Sequence, residues 1–306
     1  MNRNNKVMLS GGSQIKKFRF SDYTPAKVAN TAKVTVSKGY PPANQVNKKQ
    51  TIKINNLSKG AKMDLKKLIG RQKKIPASIV LYTVPGWGKS TFATSMPKPI
   101  ILDMDNSLRG LDVDTFPLIT KFANFQEYIS LLLNEKHDYK TVVIDSASSL
   151  ERLIWTFFCK ERSLKSIDDV AYYRGYKLVM QYWNGCLKMF DALRAKNMTI
   201  LLLAHSDIIR FESPSMEAYD RYGLKLEKHP VGTITEWADY MFFGTYNIKI
   251  SERGEGFNKK TFATGEGERI IYTEERPDFY AKKRTKMPFQ IKIPIDKGWN
   301  TIAEYI

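Results

Sequence analysis

The segment SIVLYTVPGWGKST, residues 78–91, constrains this chain more than any other. The apolar run SIVLY has the length of a buried strand and is too short for a helix. It enters a turn containing Pro85 and Gly86, after which Gly88, Lys89, Ser90 and Thr91 open a stretch of helical pattern. A strand that passes through a glycine turn into GKS at a helix start is the setting of a phosphate-binding loop. Backbone N–H groups cradle phosphates there, the lysine reaches the β and γ phosphates, and the serine hydroxyl ligates Mg²⁺. The expected nucleotide-binding set is Pro85, Gly86, Trp87, Gly88, Lys89, Ser90 and Thr91, with ATP and Mg²⁺ as the ligands. The usual G-x-x-x-x-G-K-[ST] spacing places its first glycine where this chain has Thr83, and Gly86 is the residue positioned to supply the missing flexibility.

Three more continuous apolar runs, PIILD (99–103), TVVID (141–145) and TILLLAH (199–205), alternate with helical patterns over 90–95, 125–134, 148–162 and 170–194. Unbroken apolar strands separated by helices predict an α/β fold with a mostly parallel, doubly covered sheet. From about Tyr240 the pattern changes to YMFFGTYNIKI, a glycine-rich turn near 254–256, ERIIYTEE and MPFQIKIPI, which predicts an antiparallel β extension at the C-terminal end.

Polar residues at the ends of these strands are the further site candidates, because ligands of open α/β sheets bind at the carboxyl edge. Asp145 closes TVVID, where a carboxylate can hold the magnesium site with Ser90; the expectation is that its strand neighbours the loop strand. Asp103 and Asp105 follow PIILD; one of them can orient or deprotonate the attacking water, or both can cap the following segment. His205 and Ser206 end TILLLAHS, where a polar group can bond the γ-phosphate, a satisfied core histidine being the alternative. The 207–230 segment reads as a loop in which Arg210, Phe211, Tyr219, Arg221, Tyr222, Lys225 and Lys228 interleave cations with rings. Cations track phosphates and rings stack on bases of any identity, so the segment suits single-stranded DNA, although an ordinary surface loop has similar composition.

Net charge is +18, but residues 1–74 hold 18 Lys or Arg against only Asp22 and Asp64, leaving +2 for the rest. This stretch is poor in large apolar residues and predicts a basic flexible arm, either a solvated tail or a phosphate- or partner-binding segment, with 62–74 as a short basic helix leading into a domain over 75–306. Cys159 and Cys186 have no metal-ligand spacing and read as reduced thiols. No apolar run approaches the roughly 20 residues a membrane span needs, and no secretory leader is expected. The chain is expected to stay in the cytoplasm.

Taken in order, PGWGKST, ILDMD, TVVIDS, LLLAHS, YDRYGLKL, EWAD and AKKRTKMP resemble the phage RecA-like ATPases of the Sak4 type over about 75–306. The resemblance implies a RecA-like core, DNA-dependent ATP hydrolysis in the host cytoplasm, and a homo-oligomer, ring or filament, that promotes single-strand annealing in recombination or replication. It assigns the catalytic carboxylate to Asp105, shorter than the usual Glu, and the phosphate sensor to His205, beside Lys89 and Asp145. It makes Lys282 and Arg284 the pair of cations that enter a neighbouring subunit's ATP site, solvated strand cations being the alternative. A single-strand-binding protein is a further candidate partner, and an ATP-switched loader or scaffold with little turnover is the competing function.

Overall fold

A computed structural model describes residues 69–71, 74–253 and 260–306. Most of the basic arm, nine of the thirteen residues of the expected 62–74 helix and the 254–256 turn lie outside the described residues, and residues 69–71 and 74 are not helical. Residues Ile75–Ile306 form one compact unit.

Its centre is a nine-stranded sheet. The strands are β1 (Ser78–Thr83), β2 (Pro99–Asp103), β3 (Asp114–Thr115), β4 (Thr141–Asp145), β5 (Thr199–Ser213), β6 (Met216–Leu224), β7 (Tyr240–Tyr246), β10 (Arg269–Tyr272) and β11 (Gln290–Lys292), while β8 (Lys249–Arg253) and β9 (Lys260–Thr264) form a separate antiparallel pair. Lateral order runs β11-β10-β7-β1-β5-β4-β2-β3, with β6 paired to β5 off this path. The strands from β7 to β3 along that path are mutually parallel, whereas β10 and β11 are antiparallel to their neighbours. The α/β fold with a C-terminal antiparallel extension is as the sequence predicts.

Alternation along the strands makes two cores. Val80, Tyr82, Val142, Ile144, Ile200 and Leu202 pack with residues of α2 (Phe122–Asn134), α3 (Ala147–Glu161) and α5 (Met180–Ala195), among them Phe125, Ile154 and Trp183. On the opposite face Ile79, Leu81, Val143, Leu201 and Leu203 pack with Phe92 of α1 (Lys89–Thr94) and with Trp299 and Ile302 near the C-terminus. Among the described residues no helix is long and apolar enough to cross a membrane. Both cysteines are free thiols, Cys186 buried and Cys159 half-buried.

Four expectations are corrected. The loop strand and the Asp145 strand are not neighbours, because β5 lies between β1 and β4 and pairs in parallel with both. Hydrophobic runs identify strands but carry no lateral order, and the helices between β4 and β5 carry the chain over one face and return it beside β1. The strand at Tyr240 is parallel to β1, since α6 (Lys228–Trp237) provides a crossover before it. The 207–230 segment is a β-hairpin followed by the start of α6: Ile208 pairs with Tyr222, Arg210 with Asp220 and Phe211 with Tyr219. Finally, the 170–194 helix is broken into 3₁₀ turns, α4 (Arg174–Leu178) and α5, because Tyr172 and Tyr173 adopt left-handed φ of 60° and 53°, which helix propagation does not allow.

Parallel register brings the functional strand ends to one edge. Thr83 is level with His205, Asp145 with Leu203 and with Asp103.

Candidate active site

Thr83, at the position of the missing glycine, is still a strand residue, fully buried and with its hydroxyl donating to the Val84 carbonyl at 3.0 Å. The turn begins one residue later and takes its left-handed steps at Gly86, φ 77°, and Gly88, φ 94°. Gly88 caps α1, and its carbonyl accepts from Phe92 N at 2.9 Å. Tyr246 holds the outer side of the turn by donating its hydroxyl to the Gly86 carbonyl at 2.7 Å. Trp87 does not face a ligand: its indole is 1% exposed and donates to the carbonyls of Thr245 (2.9 Å) and Ile270 (3.2 Å). Only its backbone borders the loop, and the ring anchors the turn to β7 and β10.

Beyond the loop, Asp145 Oδ2 accepts from Ser90 Oγ at 2.7 Å and from Ser107 Oγ at 2.8 Å. The Ser107 contact was hidden in the sequence, where a serine two residues past Asp105 carries no signal. Asp103 takes the capping role, its Oδ1 accepting from Asp105 N (2.9 Å) and Ser107 N (3.4 Å), which aims both residues at the site. Burial pushes the Asp145 carboxyl above its ordinary range against the pull of its Ser90 and Ser107 hydrogen bonds. Burial likewise lowers Lys89, opposed by Asp145 and Asp105. A desolvated carboxylate and a desolvated ammonium that do not bond each other are each relieved by a ligand of opposite charge, phosphate for Lys89 and a cation for Asp145. Carboxylate and hydroxyl oxygens, with no metal-binding group of His, Cys, Asp or Glu among the described residues, fit Mg²⁺, which takes one or two protein ligands and completes its shell with water and phosphate. Ser90 and Asp145 would hold it.

Asp105 is enclosed on both oxygens. Its Oδ2 accepts from Ser146 Oγ at 2.7 Å and meets His205 Nε2 at 3.4 Å; Oδ1 accepts from Ser149 Oγ and lies 3.7 Å from Arg152 Nη2. Burial pushes this carboxyl up, but the hydrogen bonds from His205, Ser149 and Ser146 outweigh it and hold Asp105 well below the usual carboxylate range. The other ring nitrogen, His205 Nδ1, lies 3.4 Å from Lys89 Nζ. An ammonium only donates and a carboxylate only accepts, so this arrangement suits the tautomer with its proton on Nε2. Lys89, His205 and Asp105 thus form one chain across the loop, β5 and the segment after β2.

The geometry is that of a nucleotide site, and the sequence profile of the AAA domain family matches residues 75–285, more than two thirds of the chain. This chain belongs to the AAA domain family. Such domains are P-loop nucleotide-binding ATPases, and the α/β sheet here agrees with that fold. The SPbeta prophage-derived uncharacterized protein YorG of Bacillus subtilis (strain 168) is 22% identical over 132 residues, 42% of this chain. The chain matches 40% of that relative's length.

Within the AAA domain, Lys282 and Arg284 lie at the opposite sheet edge from the loop. Lys282 pairs through its backbone with Met241 and donates Nζ to the Thr235 carbonyl at 2.9 Å; Arg284 Nε is 2.6 Å from Asp239, which is bonded to Ser78 at the start of β1. Arg284 keeps its side chain 59% exposed. The hairpin residues divide. Tyr222 stacks on Phe243 in the core, with ring centroids 4.9 Å apart. Arg221 lies over Phe211 at 3.9 Å and pairs with Glu275, and Phe211 packs on Tyr219. Arg210 reaches Asp220, while Lys225 and Lys228 are exposed.

Those two lysines border a cavity of about 570 Å³ that the sequence did not reveal, walled also by Arg152, Trp155, Tyr173 and Tyr176. At its base Glu151 is buried and accepts from Glu227 N at 3.1 Å. Burial and the nearby Glu227 push Glu151 up to about 7, against the pull of that hydrogen bond and of Arg152. A carboxyl raised on folding stabilises the chain below its unfolded value near 4.5 and loses that contribution as pH climbs through about 7. Glu151→Gln keeps the acceptor and removes the ionisation. It should raise the melting temperature by about 2–4 °C or more at pH 8 and leave it unchanged at pH 4.5, as calorimetry would read. An equal difference at both pH values would contradict the assignment.

Proposed function

We propose that this AAA domain is an ATP hydrolase that binds single-stranded DNA as a homo-oligomer and promotes annealing or strand pairing in phage recombination or replication, as the Sak4-type resemblance implies. The prophage origin of its matched relative supports a phage setting. In this reading Lys89 neutralises the β and γ phosphates, Asp105 orients the attacking water, and His205 links the two. Ser90 and Asp145 would hold the Mg²⁺, which would supply charge neutralisation at the phosphates. Because the loop and Arg284 occupy opposite edges of one sheet, head-to-tail stacking of copies would bring Arg284 and Lys282 of one toward the loop of the next.

One observation carries the DNA part. Ser149 bonds Asp105, and Arg152, one turn on in α3, donates to Ser149 at 2.6 Å while walling the cavity with Lys225, Lys228 and Tyr173. One helix, α3, therefore touches both the water-orienting carboxylate, through Ser149, and the cation and ring surface, through Arg152. The hairpin itself is the weaker candidate, since from Ser206 to Leu224 it carries Asp207, Glu212, Glu217 and Asp220 against Arg210 and Arg221. Exposed Tyr173 (76%) lines the cavity and is a stacking platform for a base.

The test is steady-state ATP turnover with and without single-stranded DNA, alongside DNA affinity. DNA should accelerate the wild type, and Tyr173→Ala combined with Lys228→Glu should weaken DNA binding about tenfold or more and cut the acceleration. A rate indifferent to DNA, with the variant binding as the wild type does, would sink this reading. ATP-dependent binding without turnover would favour the loader or scaffold function instead, a reading supported by the crowding of both Asp105 oxygens.

A further inference from the structure

Arg269, at the start of β10, is 7% exposed, and among the described residues no carboxylate pairs with it. Its Nε donates to the Ile293 carbonyl and its Nη1 to the Trp87 carbonyl, each at 3.3 Å; Nη2 is buried with no hydrogen-bond partner. The guanidinium carbon stands 5.2 Å from the centre of the Trp87 ring. A Cβ placed on Gly88 would come within 2.7 Å of Nη1, so the cation lies directly against the turn that ends in Lys89. Desolvation works against its charge. A buried, unpaired guanidinium is costly, and a chain of this size has many apolar side chains that would fill the volume at lower cost. Its placement against the phosphate-binding turn gives the charge a use.

We propose that Arg269 is a positioning and affinity residue of the nucleotide site, a second cation that braces Trp87 and Gly88 and whose charge is compensated by the di- and triphosphate of the bound nucleotide. This rests on the reading of the loop as an ATP site. Lys89 meets the phosphates from the solvent side of the turn, and Arg269 raises the potential from the protein side. The glycine at 88 is then required twice, for its left-handed φ and because the guanidinium occupies the space of a side chain. The chemistry selects for ligands with two or three phosphates, since AMP places little charge at the turn.

The test measures equilibrium binding of ATP, ADP and AMP in the presence of Mg²⁺, and the melting temperature without nucleotide, for the wild type, Arg269→Gln and Arg269→Lys. Arg269→Gln should weaken ATP and ADP about tenfold or more, since a full charge one peptide layer away in a partly dried site contributes on that scale, and AMP least. Its nucleotide-free melting temperature should equal or exceed that of the wild type, because the uncompensated charge has gone. Arg269→Lys should keep ATP affinity within about threefold of wild type on the same electrostatic ground. ATP binding by Arg269→Gln at the wild-type level would overturn the proposal, as would a uniform loss for all three nucleotides with a lowered melting temperature, which marks a packing residue. Should Arg269→Gln fail to fold, a large loss of ATP affinity in folded Arg269→Lys overturns it independently. Wild type that binds no nucleotide at all defeats the ATP-site reading, and this proposal with it.

Discussion

Lys89→Ala should leave the chain folded and lower kcat/KM for ATP about 10³-fold or more, the scale on which loss of one preorganised charge at a reacting group is felt. The side chain is half-buried, reaches His205, and is the cation that follows Gly88 into α1. Removing an ammonium that burial already disfavours does not cost fold stability, so the melting temperature should hold or rise slightly. Steady-state hydrolysis with a malachite-green readout, beside a thermal melt, checks both halves. A variant that turns over within a few-fold of wild type would show that the loop is not where the γ-phosphate reacts.

Asp105→Asn should separate chemistry from binding. The carboxylate accepts from Ser146 and Ser149 and touches His205, whereas the residues assigned to phosphate and metal are Lys89, Ser90 and Asp145. The expected result is a fall in kcat of about 10²–10³-fold with ATP affinity nearly intact. Its low proton affinity gives a second signature. A group held ionised far below neutrality orients water rather than storing a proton, so the rate of the wild type should show no acidic limb near pH 5 traceable to Asp105. An affinity loss as large as the loss of kcat would place Asp105 in ground-state binding instead.

How far the sequence was legible varied with the physics behind each signal. Ser90 meets Asp145, with Lys89 beside Ser90, because local patterns specify them: a buried strand, glycines in a turn, and an acid at a strand end. The parallel sheet was legible for the same reason. Ser107 and Ser149 were not, since each acts through a single hydroxyl whose partner lies 38 or 44 residues away. Arg269 had no signal at all, because an arginine opening a strand looks solvated until the strand is seen to pack behind Trp87. The order of β1, β5 and β4 failed because lateral position is set by crossovers. The 207–230 segment failed because alternating cations and rings suit a twisted hairpin as well as a loop.

Strand β5 does not stop at the edge of the sheet. It extends from Thr199 to Ser213, with His205 level with the end of β1 and the remainder, among the described residues, paired to β6 alone across a bulge between Phe211 and Ser213. The eight residues from Ser206 to Ser213 span about 26 Å at the rise of an extended strand. Such a ribbon behaves as a lever whose fulcrum is the residue that touches Lys89 and Asp105. A tilt of about 10° at the fulcrum would carry the tip about 4–5 Å over that length, so a sub-ångström adjustment there would become a displacement the size of a side chain. Met216, exposed at the tip, would travel with it, and nucleotide state would thereby be converted into reach.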